Sequence, residues 1–372
     1  MTLSSQSRTV VLATGGTGGH IFPAEALAEC LLARGYKVHV ITDRRFEHYM
    51  RASNYVLGSI PTHVIDAASM SGSLMVRAKA LVKNIIAYRV VRRILSEVRP
   101  NVVVGFGGYP SFPTLFAAAG RIPTIIHEQN SILGKANRML ASRVDVIATS
   151  FEQTGGIKLA DQPRVQCIGN PVRAAIQSLR AVDYPTMLAD GIVHVLVTGG
   201  SQGAAILGDI VPKAVALLPA PLRKRVRIDQ QVRAEQLEGL RAEYEAIGVH
   251  ADLAPFFADI PNRLASAHLV IARAGASTIC ELTTAGRPAI LVPLPSAADD
   301  HQKYNAKAID DMGGGWLMPQ NAFTPEALAA KLEYFLTMPH SLAKAAASAR
   351  ALGKPEAAEH LADLVERVAR PS

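Results

Sequence analysis

The sequence predicts an α/β protein of two Rossmann-like, parallel-sheet domains in tandem. The chain has 372 residues, which at roughly 100 to 200 residues per domain favours two domains over one. Its strand candidates are short apolar runs separated by helical stretches, a pattern typical of buried parallel sheets. A unit of strand, glycine loop and helix also occurs once in each half. These three observations exclude a single small module.

The first of these units opens the chain. Val10–Ala13 is an apolar strand, Thr14–His20 is rich in glycine, and a helical pattern follows until Gly35 ends it. In the second half, the strand Val193–Val197 precedes a second glycine loop and a helix. We place the domain boundary between residues 172 and 173, which gives domains 1–172 and 173–354. A charged amphipathic helix within 355–372 is expected to pack back on the first domain.

Composition narrows the class of protein. Hydrophobic residues make up 49% and charged residues 19%, enough apolar material for two cores, which excludes global disorder. Cys30, Cys167 and Cys280 are too few and too far apart for a disulfide framework or a paired-cysteine metal site, so we expect a reducing, cytosolic compartment. The net charge of +8 predicts an anionic partner, either nucleic acid, anionic lipid or a phosphorylated substrate.

We expect neither export nor a membrane span. Met1–Arg8 is polar and the first apolar run is only of strand length. The charge-free stretch Asn101–Gly120 is long enough for a span, but glycines and prolines interrupt it. It therefore predicts a buried strand followed by a loop.

The two glycine loops predict phosphate binding. A strand that turns into a helix through glycines points backbone N–H groups and the positive end of the helix at an anion. The alternative is a tight turn without a ligand. A dinucleotide fingerprint does not fit, because Ile21 stands where its third glycine belongs and Asp43 lies too far away for a ribose carboxylate. Neither loop ends in the Gly-Lys-Ser/Thr of a Walker loop.

A third strand-to-helix junction lies at Arg273–Glu281. Ser277 and Thr278 are predicted to cap the helix, and Glu281 lies about one turn inside it. Its carboxylate can accept two hydrogen bonds from a ribose diol. The alternative is a carboxylate that only complements the helix dipole.

Other polar residues follow predicted strand ends, where open α/β sheets bind ligands. They are His127, Glu128, Gln129 and Asn130 after one strand and Gly107, Gly108 and Tyr109, with Pro110 and Ser111, after another. His20 ends the first glycine loop and is a candidate general base, although a lone histidine is more often structural. Asp299, Asp300 and His301 are adjacent on a predicted loop, with no second cluster to complete a metal site, so we predict no metal.

A basic stretch lies between Asp66 and Glu97, where lysines and arginines alternate with apolar residues and no acidic residue occurs. Such a stretch suits an anionic membrane surface. The alternative is a solvated helix with an ordinary buried stripe. Nucleic acid is not expected as a partner, because no zinc pattern, recognition helix or basic-aromatic platform is present.

Taken in order, these motifs resemble the motif set of the MurG family of peptidoglycan N-acetylglucosaminyltransferases. The matching segments are Gly15–His20, Gly107–Tyr109, His127–Asn130, Gly169–Arg173, Gly199–Ala204 and Arg273–Glu281. The resemblance implies a GT-B fold, with the two domains separated by a cleft. It implies inverting, metal-independent transfer of N-acetylglucosamine from UDP-N-acetylglucosamine (UDP-GlcNAc) to the C4 hydroxyl of lipid I, which gives lipid II. It also implies a peripheral location on the cytoplasmic face of the inner membrane, no cofactor, and cell-wall synthesis proteins as partners.

The resemblance also assigns site residues. It implies that His20 is the general base and that Gly107, Gly108, Tyr109, His127 and Glu128 line the acceptor cleft. The residues implied to bind donor or substrate are Thr17, Gly18, Gly19, Asn130, Arg173, Ser201, Gln202, Phe257, Ala276, Ser277, Thr278, Glu281 and Gln302. Two places depart from the family pattern. Only Gln302 carries over from the donor-sugar loop Pro295–Gln302, and Phe257 stands where some relatives have an aliphatic residue, so that its contact with uracil is expected through the backbone.

Overall fold

A computed structural model of the chain describes residues 8–15, 18–45, 56–68, 73–188, 190–200 and 204–369, apart from the side chains of residues 74 and 76. Contacts divide the chain into two compact units. Unit 1 comprises the residues up to Arg173 together with those from Glu356 onwards, and unit 2 comprises Ala174–Pro355. Each unit contains one parallel β-sheet.

Unit 1 contains a seven-stranded sheet in the order β3-β2-β1-β4-β5-β6-β7. Its elements are β1 (Thr9–Ala13), α1 (Gly18–Ala33), β2 (Lys37–Thr42), β3 (Thr62–Val64), α2 (Leu74–Val98), β4 (Val102–Gly105), α3 (Ser111–Ala118), β5 (Thr124–Glu128), α4 (Lys135–Leu140), β6 (Val146–Thr149) and β7 (Val165–Cys167). The strand order reverses at β1, which pairs with β2 on one side and β4 on the other. This reversal is the signature of a doubly wound sheet.

Unit 2 contains a six-stranded sheet in the order β10-β9-β8-β11-β12-β13, which reverses at β8. Its elements are α5 (Ala174–Gln177), β8 (Val193–Thr198), α6 (Ala205–Leu217), α7 (Ala220–Arg223), β9 (Val226–Gln231), α8 (Leu237–Ala246), β10 (His250–Ala254), α9 (Ile260–Ser266), β11 (Leu269–Ala272), α10 (Ala276–Ala285), β12 (Ala289–Leu291), α11 (His301–Asp310), β13 (Gly315–Leu317), α12 (Pro325–Thr337) and α13 (Pro339–Leu352). The two units thus share one topology around their first strands.

Both faces of the first sheet are covered by apolar side chains. Along β1, Val10 and Leu12 belong to one buried cluster, whereas Val11 and Ala13 belong to another. Successive side chains of a strand point to opposite faces, so a strand buried on both sides is apolar throughout. This explains why the central strands β1 and β4 are buried, almost continuous apolar runs.

The last helix, α14 (Ala357–Val368), packs on α1 of unit 1. Its Leu361, Leu364 and Val365 are fully buried. At the rim of this contact the Arg34 guanidinium forms ion pairs with Glu359, Asp363 and Glu366. Burial of the apolar stripe is therefore the main attraction, because exposed ion pairs each contribute about 0 to 1 kcal/mol.

Two boundaries differ from the sequence prediction. The stretch after β4 was predicted to be a loop, but Ser111–Ala118 forms α3. Pro113 is compatible with this helix because it lies in the first turn, where backbone N–H groups have no helical partner. Likewise, α1 begins at Gly18, so that His20 lies in the first turn of the helix rather than in the glycine loop.

Within the described part of the chain, no helix is both long and apolar enough to cross a membrane.

Candidate active site

The predicted site residues of unit 1 follow the carboxyl ends of its central strands. Gly18, Gly19 and His20 follow β1, the two glycines at 107 and 108 follow β4, and the polar segment from His127 lies at the end of β5. In doubly wound sheets, ligands bind at this edge, beside the point where the strand order reverses. Thr17 lies outside the described residues.

The loop after β4 lies directly against the loop after β1. Gly107 and Gly108 have φ values of +88° and +77°, a region that favours glycine. A Cβ atom at residue 107 would lie 3.0 Å from His20 Cε1, and one at residue 108 would lie 2.6 Å from the carbonyl oxygen of Gly15. Both glycines are therefore needed for the His20 ring and the first loop to approach this backbone.

His20 is half-buried and held from two sides. Its Nδ1 lies 3.0 Å from Oε1 of Gln129, and its backbone carbonyl accepts a 2.8 Å hydrogen bond from the Thr14 hydroxyl. Gln129 is almost fully buried, and its Nε2 lies 3.0 Å from His127 Nδ1. The structure thus brings His20 and His127 together through Gln129, a member of the predicted polar cluster to which no role had been assigned.

His127 is fully buried, and its Nε2 donates a 2.9 Å hydrogen bond to the carbonyl oxygen of Gly169. Burial lowers its pKa to about 4, against the opposing effect of the bond to Gly169. The imidazole is therefore neutral at pH 7. The prediction placed His127 in the acceptor cleft, but a side chain without exposed surface instead supports its neighbours.

Glu128 is also buried and organises the loop that follows β5. Its carboxylate accepts hydrogen bonds from the backbone N–H groups of Asn130 and Gly134 and from Nδ2 of Asn137, at 2.9 to 3.0 Å. These bonds also fix the position of Asn130, whose Nδ2 lies 3.1 Å from the same carboxylate. Glu128 therefore shapes the loop, whereas the prediction had it line the acceptor cleft.

The other predicted residues of unit 1 lie at its surface or close to it. Tyr109 is 43% exposed, and the guanidinium carbon of Arg45 lies 5.1 Å from the centre of its ring. Arg173 lies over the ring of Phe22 at 4.9 Å. Both arginines make cation-π contacts that keep positive charge near aromatic surface.

In unit 2, α10 begins without a side-chain cap. The capping position is occupied by Gly275, rather than by Ser277 or Thr278 as predicted. Since the first N–H groups of a helix have no helical partners, this end is available to an anion. The Ser277 hydroxyl lies one residue inside the helix, is buried and has no hydrogen-bond partner among the described residues. Ala276 and Thr278 flank it in the first turn.

Arg273 adds positive charge at the same edge and was not among the predicted site residues. Its guanidinium donates to the carbonyl oxygens of Val292 and Pro293 and to Gln320 Oε1, at 2.8 to 3.2 Å. Burial lowers its pKa from the usual arginine value. Each of these three acceptors is uncharged, so the cation remains attractive to an anionic ligand.

The remaining predicted donor residues differ in accessibility. Glu281 is half-buried, about one turn inside α10. Gln302 accepts a 2.9 Å hydrogen bond from the Leu294 N–H and so holds the loop after β12. The Phe257 ring is buried beneath the Arg263 guanidinium, whose carbon lies 3.8 Å from the ring centre. Its contact with a base stays a prediction. Ser201 and Gln202 lie outside the described residues.

A metal site was not predicted, and among the described residues no group of three histidine, cysteine or acidic side chains is placed to hold an ion. In the segment considered above, Asp299 and Asp300 have φ values of +53° and +54°. His301 Nδ1 lies 2.7 Å from the carbonyl oxygen of Ala298. That ring nitrogen therefore hydrogen-bonds to the backbone of its own turn.

Comparison with known proteins places this architecture in a family. Residues 10–149 match the glycosyltransferase family 28 N-terminal domain, and residues 194–361 match the family 28 C-terminal domain. The crystal structure of Acinetobacter baumannii MurG superposes with a TM-score of 0.78 at 30% identity, over 97% of this chain and 99% of that one. The chain belongs to the MurG family.

Family members with more similar sequences match almost the whole chain. A Rhodospirillum centenum protein is 54% identical over 96% of this chain and 93% of its own length. A Paramagnetospirillum magneticum protein is 51% identical over 98% of this chain and 97% of its own length. Both are called UDP-N-acetylglucosamine--N-acetylmuramyl-(pentapeptide) pyrophosphoryl-undecaprenol N-acetylglucosamine transferase. The predicted family, GT-B fold and glycosyltransferase class are thereby confirmed, whereas the roles of individual site residues stay predictions.

Proposed function

We propose that this MurG-family chain transfers N-acetylglucosamine from UDP-GlcNAc to the undecaprenyl-pyrophosphoryl N-acetylmuramyl-pentapeptide, lipid I, and so produces lipid II for peptidoglycan synthesis. The observation that carries the proposal is the 54% identity, over almost the full chain, to a protein named for this reaction. The arrangement of polar groups in the two units supports it. The proposed mechanism is inverting and independent of metal.

Unit 2 provides the donor site of this mechanism. Departure of UDP leaves negative charge on a diphosphate, which a helix N-terminus and fixed N–H donors stabilise. The first turn of α10 offers such donors, and Ser277 adds a buried hydroxyl that no described residue binds. Arg273 adds a cation whose three hydrogen-bond acceptors in the described part of the chain are uncharged. Glu281 would accept the ribose hydroxyls.

Unit 1 provides the base. Inversion in a single displacement requires a group that removes the proton of the C4 hydroxyl as the anomeric carbon is attacked. His20 suits this role because it is half-buried and its Nδ1 is engaged by Gln129. Asn130 and Tyr109, at the ends of neighbouring strands, are proposed to contact the acceptor.

The exposed face of α2 is proposed to bind an anionic bilayer. Large apolar side chains are exposed along this helix, between 42% and 71%: Met75, Leu81, Val82, Ile85, Ile86 and Val90. Basic residues are interspersed with them: Arg77, Lys79, Lys83, Arg89, Arg92 and Arg93. This combination suits insertion at a lipid headgroup surface. Such binding would hold the enzyme peripherally on the cytoplasmic face of the inner membrane, where its lipid-linked acceptor resides.

The test is release of UDP from UDP-GlcNAc by the purified protein, with and without a short-chain lipid I analogue, in the presence of a chelator. We expect release that depends on the acceptor and resists the chelator. Release with another acceptor but not with lipid I would indicate a different glycosyltransferase of the same fold. Donor binding without release to any acceptor would indicate a nucleotide-sugar sensor and contradict the proposal.

A further inference from the structure

Gln129 connects two histidines of unit 1 through both ends of its amide. Its Oε1 lies 3.0 Å from His20 Nδ1, and its Nε2 lies 3.0 Å from His127 Nδ1 and 3.1 Å from the His127 carbonyl oxygen. The side chain is 2% exposed. We call these contacts the Gln129 bridge. A buried amide satisfies its donors and acceptors within the protein, so the direction of each bond matters.

Backbone carbonyl oxygens determine that direction, because they only accept hydrogen bonds. His127 Nε2 faces the carbonyl of Gly169 at 2.9 Å and therefore carries a proton. The amide nitrogen of Gln129 is the end that faces the carbonyl of His127. Gln129 Oε1 is consequently directed at His20 and can only accept.

The protonation of His127 completes the assignment. Burial keeps this imidazole neutral, with its pKa lowered to about 4. With its proton on Nε2, its Nδ1 has a lone pair and accepts from Gln129. A second proton on His127 would reverse the amide of Gln129 and direct N–H groups at His20. The neutral state of His127 therefore preserves the orientation of the bridge.

We propose that Gln129 is a positioning residue that holds neutral His20 in the tautomer with its proton on Nδ1 and its lone pair on Nε2. The catalytic part of this inference rests on the proposed function, in which His20 takes the proton of the acceptor hydroxyl. The opposite tautomer would place a lone pair on Nδ1, where it would face Oε1 of Gln129, which can only accept a hydrogen bond. The backbone of Gly107 packs against the Cε1 edge of the same ring. A side chain at residue 107 would not fit there, because its Cβ would lie 3.0 Å from His20 Cε1.

The tautomer is tested directly by NMR of the full chain, deuterated and labelled with ¹⁵N in its histidine rings. The signals of His20 are assigned by their loss in His20→Gln. For the wild type at pH 8, we expect a protonated Nδ1 and an unprotonated Nε2. A proton on Nε2, or averaging between the two tautomers, would overturn the proposal. This measurement needs no variant of Gln129.

Gln129→Leu then tests the consequence for catalysis. We expect His20 to lose the Nδ1-protonated tautomer and kcat to fall roughly tenfold to a hundredfold, since a positioned base contributes about 10² to 10⁴. The donor KM should change less than about twofold, because unit 2 is untouched. Retention of the tautomer in this variant would contradict the proposal.

Ser150→Ala is the matched control. It removes another buried side-chain hydrogen bond of unit 1, that of the Ser150 hydroxyl to the Glu128 carbonyl, at 2.9 Å. We expect an unchanged His20 tautomer and nearly unchanged kcat. An equal loss of kcat in this control would show that Gln129→Leu acts through general loosening, which would overturn the positioning role. An Nδ1-protonated His20 in a protein without transferase activity would support the tautomer and contradict the proposed function.

Discussion

The two units repeat one topology but satisfy their polar groups differently. In unit 1, His20, Gln129 and His127 are hydrogen-bonded to one another and end on a backbone carbonyl. In unit 2, α10 starts after a glycine without a side-chain cap, and the Ser277 hydroxyl is buried with no partner within the described ranges. The polar groups of unit 1 are thus fixed by one another, which suits the base proposed there. Those of unit 2 leave donors unsatisfied, which suits the anion site proposed there.

The largest effect is expected from the base. His20→Ala should lower kcat about a hundredfold or more, because it removes the proposed general base, while the donor KM is largely kept. Steady-state kinetics with UDP-GlcNAc and a lipid I analogue measure both quantities. The control is His360→Ala, which removes an exposed histidine of α14 in the same unit. Turnover close to normal in the His20 variant would exclude this histidine as the base.

Glu281→Ala should have the opposite kinetic signature. We expect the donor KM to rise about thirtyfold, on the order of 2 kcal/mol, because ribose hydroxyls bound in the site lose their acceptor. Calorimetric titration with UDP measures the affinity for the nucleotide in the absence of the acceptor. Glu245→Ala removes an exposed carboxylate of α8 in the same unit and should leave affinity unchanged. Equal UDP affinity in wild type and the Glu281 variant would refute the ribose role.

The buried His127 makes the stability of unit 1 sensitive to pH. Its pKa is about 4 in the folded chain and about 6.5 when unfolded. Between these values the unfolded chain binds a proton that the folded chain does not, so stability is lost as pH falls from 6.5 towards 4. From pH 7 to pH 5 this amounts to roughly 2 kcal/mol.

This loss of stability is measured by urea titration at pH 7 and pH 5, with the amide hydrogen exchange of β5 as the probe of unfolding. His127→Leu should be less stable at pH 7 but lack this part of the pH dependence. His360→Gln, an exposed histidine in the same unit, should retain it. The same pH dependence in the His127 variant would mean that other groups cause it.

Local patterns predicted the fold better than the site. The spacing of apolar residues predicts the strand-loop-helix units. For example, β8 was expected at Val193–Val197 and is observed at Val193–Thr198. The cap of α10 was missed because capping depends on backbone angles, and Gly275 takes the extended conformation of a cap.

The role of Gln129 was missed, although the residue belongs to the polar cluster predicted after β5. Its partner His20 is 109 residues away in the chain, a separation that local patterns do not register. One signal was available, since residues 127 and 129 at the end of a strand share a face.

The smallest effect concerns a feature of unit 1, the exposed apolar and basic face of α2. Arg92 is exposed two turns after Ile85, so both residues lie on that side of the helix. Arg92→Gln should weaken binding to phosphatidylglycerol vesicles about fivefold, since a basic residue near such a surface contributes about 1 kcal/mol. Arg241→Gln neutralises an exposed arginine on α8 of unit 2 and should leave binding unchanged. Both variants lose one positive charge. A difference between their affinities for the vesicles would therefore show that the membrane contacts α2, and not merely that net charge matters. Equal weakening by both would mean that overall charge attracts the membrane and would contradict docking through α2.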